Sequence, residues 1–264
     1  MLHETIRLER GTVHYWIDRC DRSDRTIVFS HGLTANHSMF EKQVEYFRQV
    51  CTVITWDIPL HGLSRPYQDF SYENCARDLC AILDQESIGK VILVGMSMGG
   101  YPSQMFAHLY PERTEGFVAL DTTPFGLGYY SKSDIWWLNR VGAMAKWFPD
   151  QVLRKSMAKS ISRTEYSFGM MMKMLEPLSK AEIAAQMDIA YRGFIRENRD
   201  VSFRFPVLIL LGEYDRSAKV RQYCISWAKR NGYPLVMIKN AAHFSNGDNP
   251  EQVNEEIRKF IERL

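Results

Sequence analysis

Val91-Ile92-Leu93-Val94-Gly95-Met96-Ser97-Met98-Gly99-Gly100 is the stretch that decides how this chain is read. Its first half is an apolar, β-branched run, the pattern of a strand buried on both faces. The run meets Gly95-x-Ser97-x-Gly99, and from Tyr101 the apolar spacing turns helical. A serine on so sharp a strand-to-helix turn is held in a strained backbone conformation, its hydroxyl pushed clear of the sheet. Small residues two positions either side let the incoming strand and the outgoing helix pass close together. The new helix aims its free N–H groups and positive dipole end at the serine, a place where an oxyanion is stabilised. G-x-S-x-G alone arises by chance in about one chain in ten of this length. The strand before it and the helix behind it are what give it weight.

Outward from this turn, strands and helices alternate. Residues 4–9 and 12–18 alternate in polarity around Arg10-Gly11, an opening β-hairpin. Buried strands are expected at 26–30 and 52–56, with a helix over about 38–49 between them. A helix follows at 72–86, where Leu79, Ile82 and Leu83 share a face. After the serine, a helix runs to about Tyr110 and a strand covers 116–120. Residues from about 122 to 199 carry no strand pattern. They show helical spacing near 135–148, 151–162, 166–175 and 180–197. This region holds Trp136, Trp137, Trp147, Phe148 and Phe168, with Met144, Met157, Met170, Met171, Met172, Met174 and Met187. Core packing is the expectation for most of these, with a few facing a pocket. Strand pattern resumes at 206–212, then a helix at 220–231, a strand at 235–239 and a last helix from Pro250. The alternation implies a parallel sheet wound by right-handed crossovers. The expected organisation is a core of residues 1–121 and 200–264, with 122–199 inserted as a helical unit.

Composition narrows the function classes. The 264 residues suffice for one large α/β domain, and 45% hydrophobic with 24% charged residues is ordinary for a globular protein. A net charge of +2 with scattered basic residues gives no footprint for nucleic acid or an anionic membrane surface. No run approaches the ~18 apolar residues of a membrane span. Met1-Leu2-His3-Glu4 leads directly into strand pattern rather than a signal-peptide core. The five cysteines, Cys20, Cys51, Cys75, Cys80 and Cys224, contain no C-x-x-C and read as reduced thiols of a cytoplasmic protein. Cys51 and Cys224 are expected in the core. Metal-binding, P-loop and dinucleotide motifs are all missing from the sequence, so neither metal nor cofactor is expected. Oligomeric state is not written in the pattern.

With its flanking strand and helix, the Gly95-x-Ser97-x-Gly99 turn resembles that of the α/β-hydrolase fold family, lidded serine hydrolases of the carboxylesterase kind. The resemblance implies a mostly parallel eight-stranded sheet flanked by helices, with the helical insertion as a lid between strands six and seven. It implies a triad in the order Ser, Asp or Glu, His. Ser97 is then the nucleophile. Asp215, in Gly212-Glu213-Tyr214-Asp215, stands at the family's usual acid position. Asp121 is the alternative acid, otherwise read as a loop residue near the lid hinge, and Glu213 falls two residues early. His243 occupies the loop of the family's base. His31 is expected to brace the neighbouring loop, His61 to serve a turn whose Leu60 and His61 depart from the family form, and His108 to face outward. The oxyanion donors are expected to be the backbone N–H groups of Met98 and of Leu33, after Gly32. The lone Gly32 departs from the H-G-G-G of some lipases and esterases. The implied activity is hydrolysis of a carboxylic ester or similar acyl bond in a small to medium hydrophobic molecule. Thioesterase, lactonase, carbon–carbon hydrolase and cofactor-free lyase chemistry use the same parts, and some members of the fold act as small-molecule receptors.

Overall fold

The computed structural model describes the backbone of residues 1–264 and all side chains except those of residues 141, 143 and 144. The expectation for the Met144 side chain therefore lies outside the described residues. Eight strands among the described residues form one sheet in the order β1-β2-β4-β3-β5-β6-β7-β8. They are β1 (Leu2–Leu8), β2 (Gly11–Asp18), β3 (Thr26–Ser30), β4 (Thr52–Trp56), β5 (Val91–Met96), β6 (Thr114–Leu120), β7 (Val207–Gly212) and β8 (Leu235–Ile238). The β1–β2 hairpin and the β2–β4 pair are antiparallel; the remaining pairs are parallel.

The parallel strands are buried on both faces because helices cover both. On one face, α1 (Glu41–Phe47) and α10 (Pro250–Ile261) bring Phe47, Val253 and Ile257 against Ile27, Phe29, Ile92 and Val118. On the other, α2 (Tyr72–Gln85), α3 (Gly100–Leu109) and α8 (Val220–Asn231) bring Leu79, Phe106 and Trp227 against Val28, Leu93 and Phe117. Neighbours along each strand go to opposite faces, as the two-residue period requires. Each fully buried Phe, Leu or Ile contributes about 1.5–3 kcal/mol. Caps mark the helix starts: Ser71 accepts from the Asn74 N–H at 2.9 Å, and Pro250 stands in the first turn of α10. Cys51 and Cys224 are buried, and all five cysteines are free.

The expected helix over 38–49 is instead a 3₁₀ turn, His37–Phe40, followed by the shorter α1. The chain must turn at Arg48 to enter β4. Between β6 and β7 lie four helices, α4 (Lys132–Met144), α5 (Asp150–Ile161), α6 (Glu165–Leu175) and α7 (Lys180–Glu197). Met170, Met171 and Met174 are buried there, as core packing implies. The aromatic residues differ: Trp136, Trp137, Trp147 and Phe148 are 49%, 54%, 84% and 47% exposed. Helix α4 packs mainly along α7 and leaves Trp136 and Trp137 outside that contact, while Trp147 and Phe148 follow in the turn before α5. A four-residue helix, α9 (Ser245–Asp248), was too short to leave a periodic signal. No helix of the described residues is long and apolar enough to cross a membrane.

Candidate active site

The sheet itself creates the site. From β3 the chain moves to β4 on one side, while β5 lies on the other. The loops leaving β3 and β5 therefore diverge, opening a crevice at the carboxyl ends of the strands. Leu33 stands on the first of these loops and Ser97 on the second.

Ser97 has φ +50°, a left-handed conformation that costs a non-glycine residue about 1–2 kcal/mol. Close packing holds it there. A Cβ on Gly95 would lie 2.5 Å from the Gly100 Cα, where strand and helix nearly touch. A Cβ on Gly99 would meet the Ser30 carbonyl oxygen at 2.1 Å, so this glycine serves the approach to β3 rather than to β5. The Thr122 hydroxyl donates to the Ser97 carbonyl at 2.6 Å, tying the turn to the end of β6.

Three loops then converge. His243 Nε2 lies 2.8 Å from Ser97 Oγ, and His243 Nδ1 lies 2.8 Å from Asp215 Oδ2. A carboxylate only accepts, so Nδ1 carries the proton and Nε2 presents its lone pair to the serine hydroxyl. Asp215 Oδ1 accepts from the Ser217 N–H at 2.8 Å. The Tyr214 N–H donates to the Ala241 carbonyl at 2.8 Å, binding the acid loop to the histidine loop. A Cβ on Gly212 would fall 2.0 Å from the Ala242 oxygen, so the two loops pass without room for a side chain. Burial opposes charge on His243, yet the Asp215 carboxylate outweighs it and lifts the imidazole above its ordinary pKa of 6.5. Burial likewise pushes Asp215 up, but His243 and Ser217 hold it below the usual carboxylate value.

Asp121 is a loop residue just past β6, as its sequence position suggested, but it is not a solvated one. It is fully buried, its Oδ1 accepts from the Gly212 N–H at 2.7 Å, and Oδ2 takes the Ser245 hydroxyl. Burial and the charge of Asp215 push its pKa up to about 8. Polar atoms of Asp121, Asp215 and His243 all lie within 4.8 Å of one another. Asp121 therefore braces both loops, while the contact to His243 is made by Asp215. Glu213 is exposed, its carboxylate accepting from the Asn240 N–H at 3.0 Å.

The backbone N–H groups of Leu33 and Met98 take no partner among the described residues, and both residues line the cavity before Ser97. His31 is fully buried, with Nδ1 2.7 Å from the Gly32 oxygen and Nε2 accepting from the Ile58 N–H at 3.0 Å. Burial lowers its pKa to about 4, so it is a neutral brace between the loops after β3 and β4. His61 donates within its own turn to the Pro59 carbonyl at 3.1 Å, and His108 is exposed on α3.

Sequence reasoning did not single out Thr122 as a brace, nor Ser245 or Asp248. The Asp248 carboxylate accepts from the N–H groups of Ala242, Arg163 and Thr164 at 2.9, 2.9 and 3.0 Å. It thus joins the histidine loop to the turn between α5 and α6. These residues carry no motif; only the tertiary contacts reveal them.

Ser97 and His243 open into a cavity of about 480 Å³. Met157, Met171, Met187, Ala190 and Phe194 from the four-helix segment line it. At a polar edge the Thr123 hydroxyl meets Tyr101 and Tyr130 at 2.8 and 2.9 Å.

Comparison with known proteins agrees with this architecture. The model of the alpha/beta hydrolase family matches residues 27–256. A 2-(acetamidomethylene)succinate hydrolase of Mesorhizobium japonicum is 28% identical, covering 89% of this chain and 87% of its own. A 3-oxoadipate enol-lactonase of Acinetobacter baylyi is 23% identical, over 92% and 91% of the two chains. Among solved structures, an esterase from Thermogutta terrifontis has a TM-score of 0.81 at 20% identity, covering 100% of this chain and 99% of its own. The chain belongs to the alpha/beta hydrolase family, and its activity is of that family's hydrolase type.

Proposed function

We propose that the protein hydrolyses a carboxylic ester, or a similar acyl bond, through an acyl-enzyme on Ser97. The observation that carries this reading is the unbroken relay from Ser97 Oγ to His243 to Asp215, at 2.8 Å and 2.8 Å, facing an apolar cavity. Ser97 Oγ attacks the carbonyl carbon as His243 Nε2 takes its proton. Asp215 holds the imidazole tautomer and stabilises the imidazolium. The Leu33 and Met98 N–H groups receive the oxyanion. The imidazolium returns its proton to the departing alcohol; His243 then activates water, which releases the acid and restores Ser97. Residues 122–199 serve as a lid whose inner side bounds the substrate, with residues 1–121 and 200–264 as the core. The substrate is a small to medium molecule with an apolar portion.

A second reading is ring opening of a lactone by the same residues. The similarity to a 3-oxoadipate enol-lactonase favours it, and the similarity to a 2-(acetamidomethylene)succinate hydrolase favours a small acid skeleton. The deciding experiment is turnover of an ester, thioester and lactone panel, with Ser97→Ala as blank. Ser97→Ala is expected to lose about a thousandfold or more in kcat while remaining folded, and a fluorophosphonate is expected to label Ser97 in the wild type. Equal turnover by both proteins, or no labelling, refutes the acyl-enzyme.

A further inference from the structure

The charges at the cavity are unevenly distributed. Two cationic side chains line it besides His243: Arg216 and Lys219. The Lys219 ammonium is engaged by Asp134 at 2.5 Å. Arg216 has no ion-pair or hydrogen-bond partner for its guanidinium among the described residues. Asp215, its neighbour in sequence, is satisfied by His243 and Ser217 instead. The one acidic side chain lining the cavity, Asp121, is fully buried with its oxygens taken by Gly212 and Ser245. Among the described lining residues no free carboxylate remains to neutralise Arg216, which is exposed at the mouth of the cavity, where its charge draws anions in.

The backbone of Arg216 is fixed beside the reaction centre. Arg216 directly follows Asp215, so the two Cα atoms are about 3.8 Å apart. The turn is pinned by the Ser217 N–H on Asp215, by the Val220 N–H on the Ser217 carbonyl at 3.1 Å, and by Arg221 on the Glu213 carbonyl at 2.8 Å. Ala218 takes φ +46° to close it. A guanidinium presents paired donors that match a carboxylate.

We propose that Arg216 anchors a carboxylate of the substrate, so that the substrate class is an acyl compound with one apolar arm and one anionic group. This rests on the hydrolase reading above and narrows its substrate. Turnover of mono-p-nitrophenyl glutarate is compared with that of neutral p-nitrophenyl pentanoate in wild type, Arg216→Gln and Arg216→Glu. The wild type favours the charged ester. In Arg216→Gln the charged-to-neutral ratio of kcat/KM falls about tenfold, through KM, as expected for loss of a charge-assisted contact. In Arg216→Glu it falls further, and high salt erodes the wild-type preference. Calorimetry of the charged ester on Ser97→Ala, with and without Arg216→Gln, reads the anchor without turnover. If the neutral ester is cleaved but the ratio ignores residue 216, the anchor is overturned and the hydrolase reading stands. If neither ester is cleaved but binding to Ser97→Ala depends on Arg216, the anchor stands and the hydrolase reading fails. If Ser97→Ala shows no binding that depends on Arg216, the anchor is overturned whatever the turnover.

Discussion

The turns after β6 and β7 invite comparison. Each ends a buried parallel strand in an aspartate region, and Asp121 and Asp215 both lie within 4.8 Å of His243. Yet Asp215 is held below the usual carboxylate value and bonded to the imidazole, whereas burial and the charge of Asp215 push Asp121 up, its oxygens accepting from a backbone N–H and a serine hydroxyl. Two carboxylates this close cannot both ionise cheaply in a buried setting; the one paired with the imidazole keeps the charge. The difference teaches that distance to the histidine does not assign a role. The partner set does.

The largest expected effect breaks this asymmetry at Asp215. Asp215→Asn replaces a charged group with a neutral one and permits the wrong histidine tautomer. Its kcat/KM is expected to fall about ten-thousandfold in steady-state assays. A fall of only tenfold would mean that Asp121 takes over, and adding Asp121→Asn would then remove the remainder. Next is Thr122→Val, which strips the hydroxyl from the Ser97 carbonyl. A loss of about tenfold is expected, the worth of one buried hydrogen bond, with KM little changed. Smallest is Asp121→Asn, because the amide keeps the shape of the side chain and an oxygen for the Gly212 N–H, and Asp121 makes no bond to His243. Its kcat/KM should change by less than about tenfold.

The pH profile sharpens the same contrast. In the proposed reaction His243 serves as base only when neutral, and its pKa is raised, so kcat/KM is expected to climb with pH through a midpoint above 6.5. Asp215→Asn removes the charge that raises it, so the residual activity has its acid limb at lower pH. Asp121→Asn moves the limb less, because Asp121 acts on the imidazole only through its field, whereas Asp215 also accepts its hydrogen bond. Equal displacement in both variants would erase the distinction between the two turns.

Much of this architecture was legible in the sequence. The buried runs at β3, β5 and β7 left few alternatives to a parallel sheet, and the turn at Ser97 announced itself through Gly95 and Gly99. Loop order then pointed to His243 and Asp215, which the structure brings together with Ser97. The tethers were not legible. Asp121 read as no more than a loop residue because the partners that bury it come from β7 and α9, which are distant in sequence. Trp136 and Trp137 misled in the other direction: bulk and apolarity suggested a core, but α4 packs mainly along α7 and leaves both about half exposed. Pattern reads what a residue needs locally, and only packing decides whether a neighbour arrives to provide it.

The three bonds gathered by Asp248 have a mechanical consequence. One corner of the four-helix segment is moored to the loop that carries His243, reinforced by the Phe244 N–H on the Ile161 carbonyl at 2.8 Å. Raising that corner would unhitch the base from its seat, so breathing of the segment while the base stays docked pivots about the mooring and opens at the far edge. Amides of Ala242 and Thr164 should then exchange with deuterium in step, and Asp248→Asn should quicken both together.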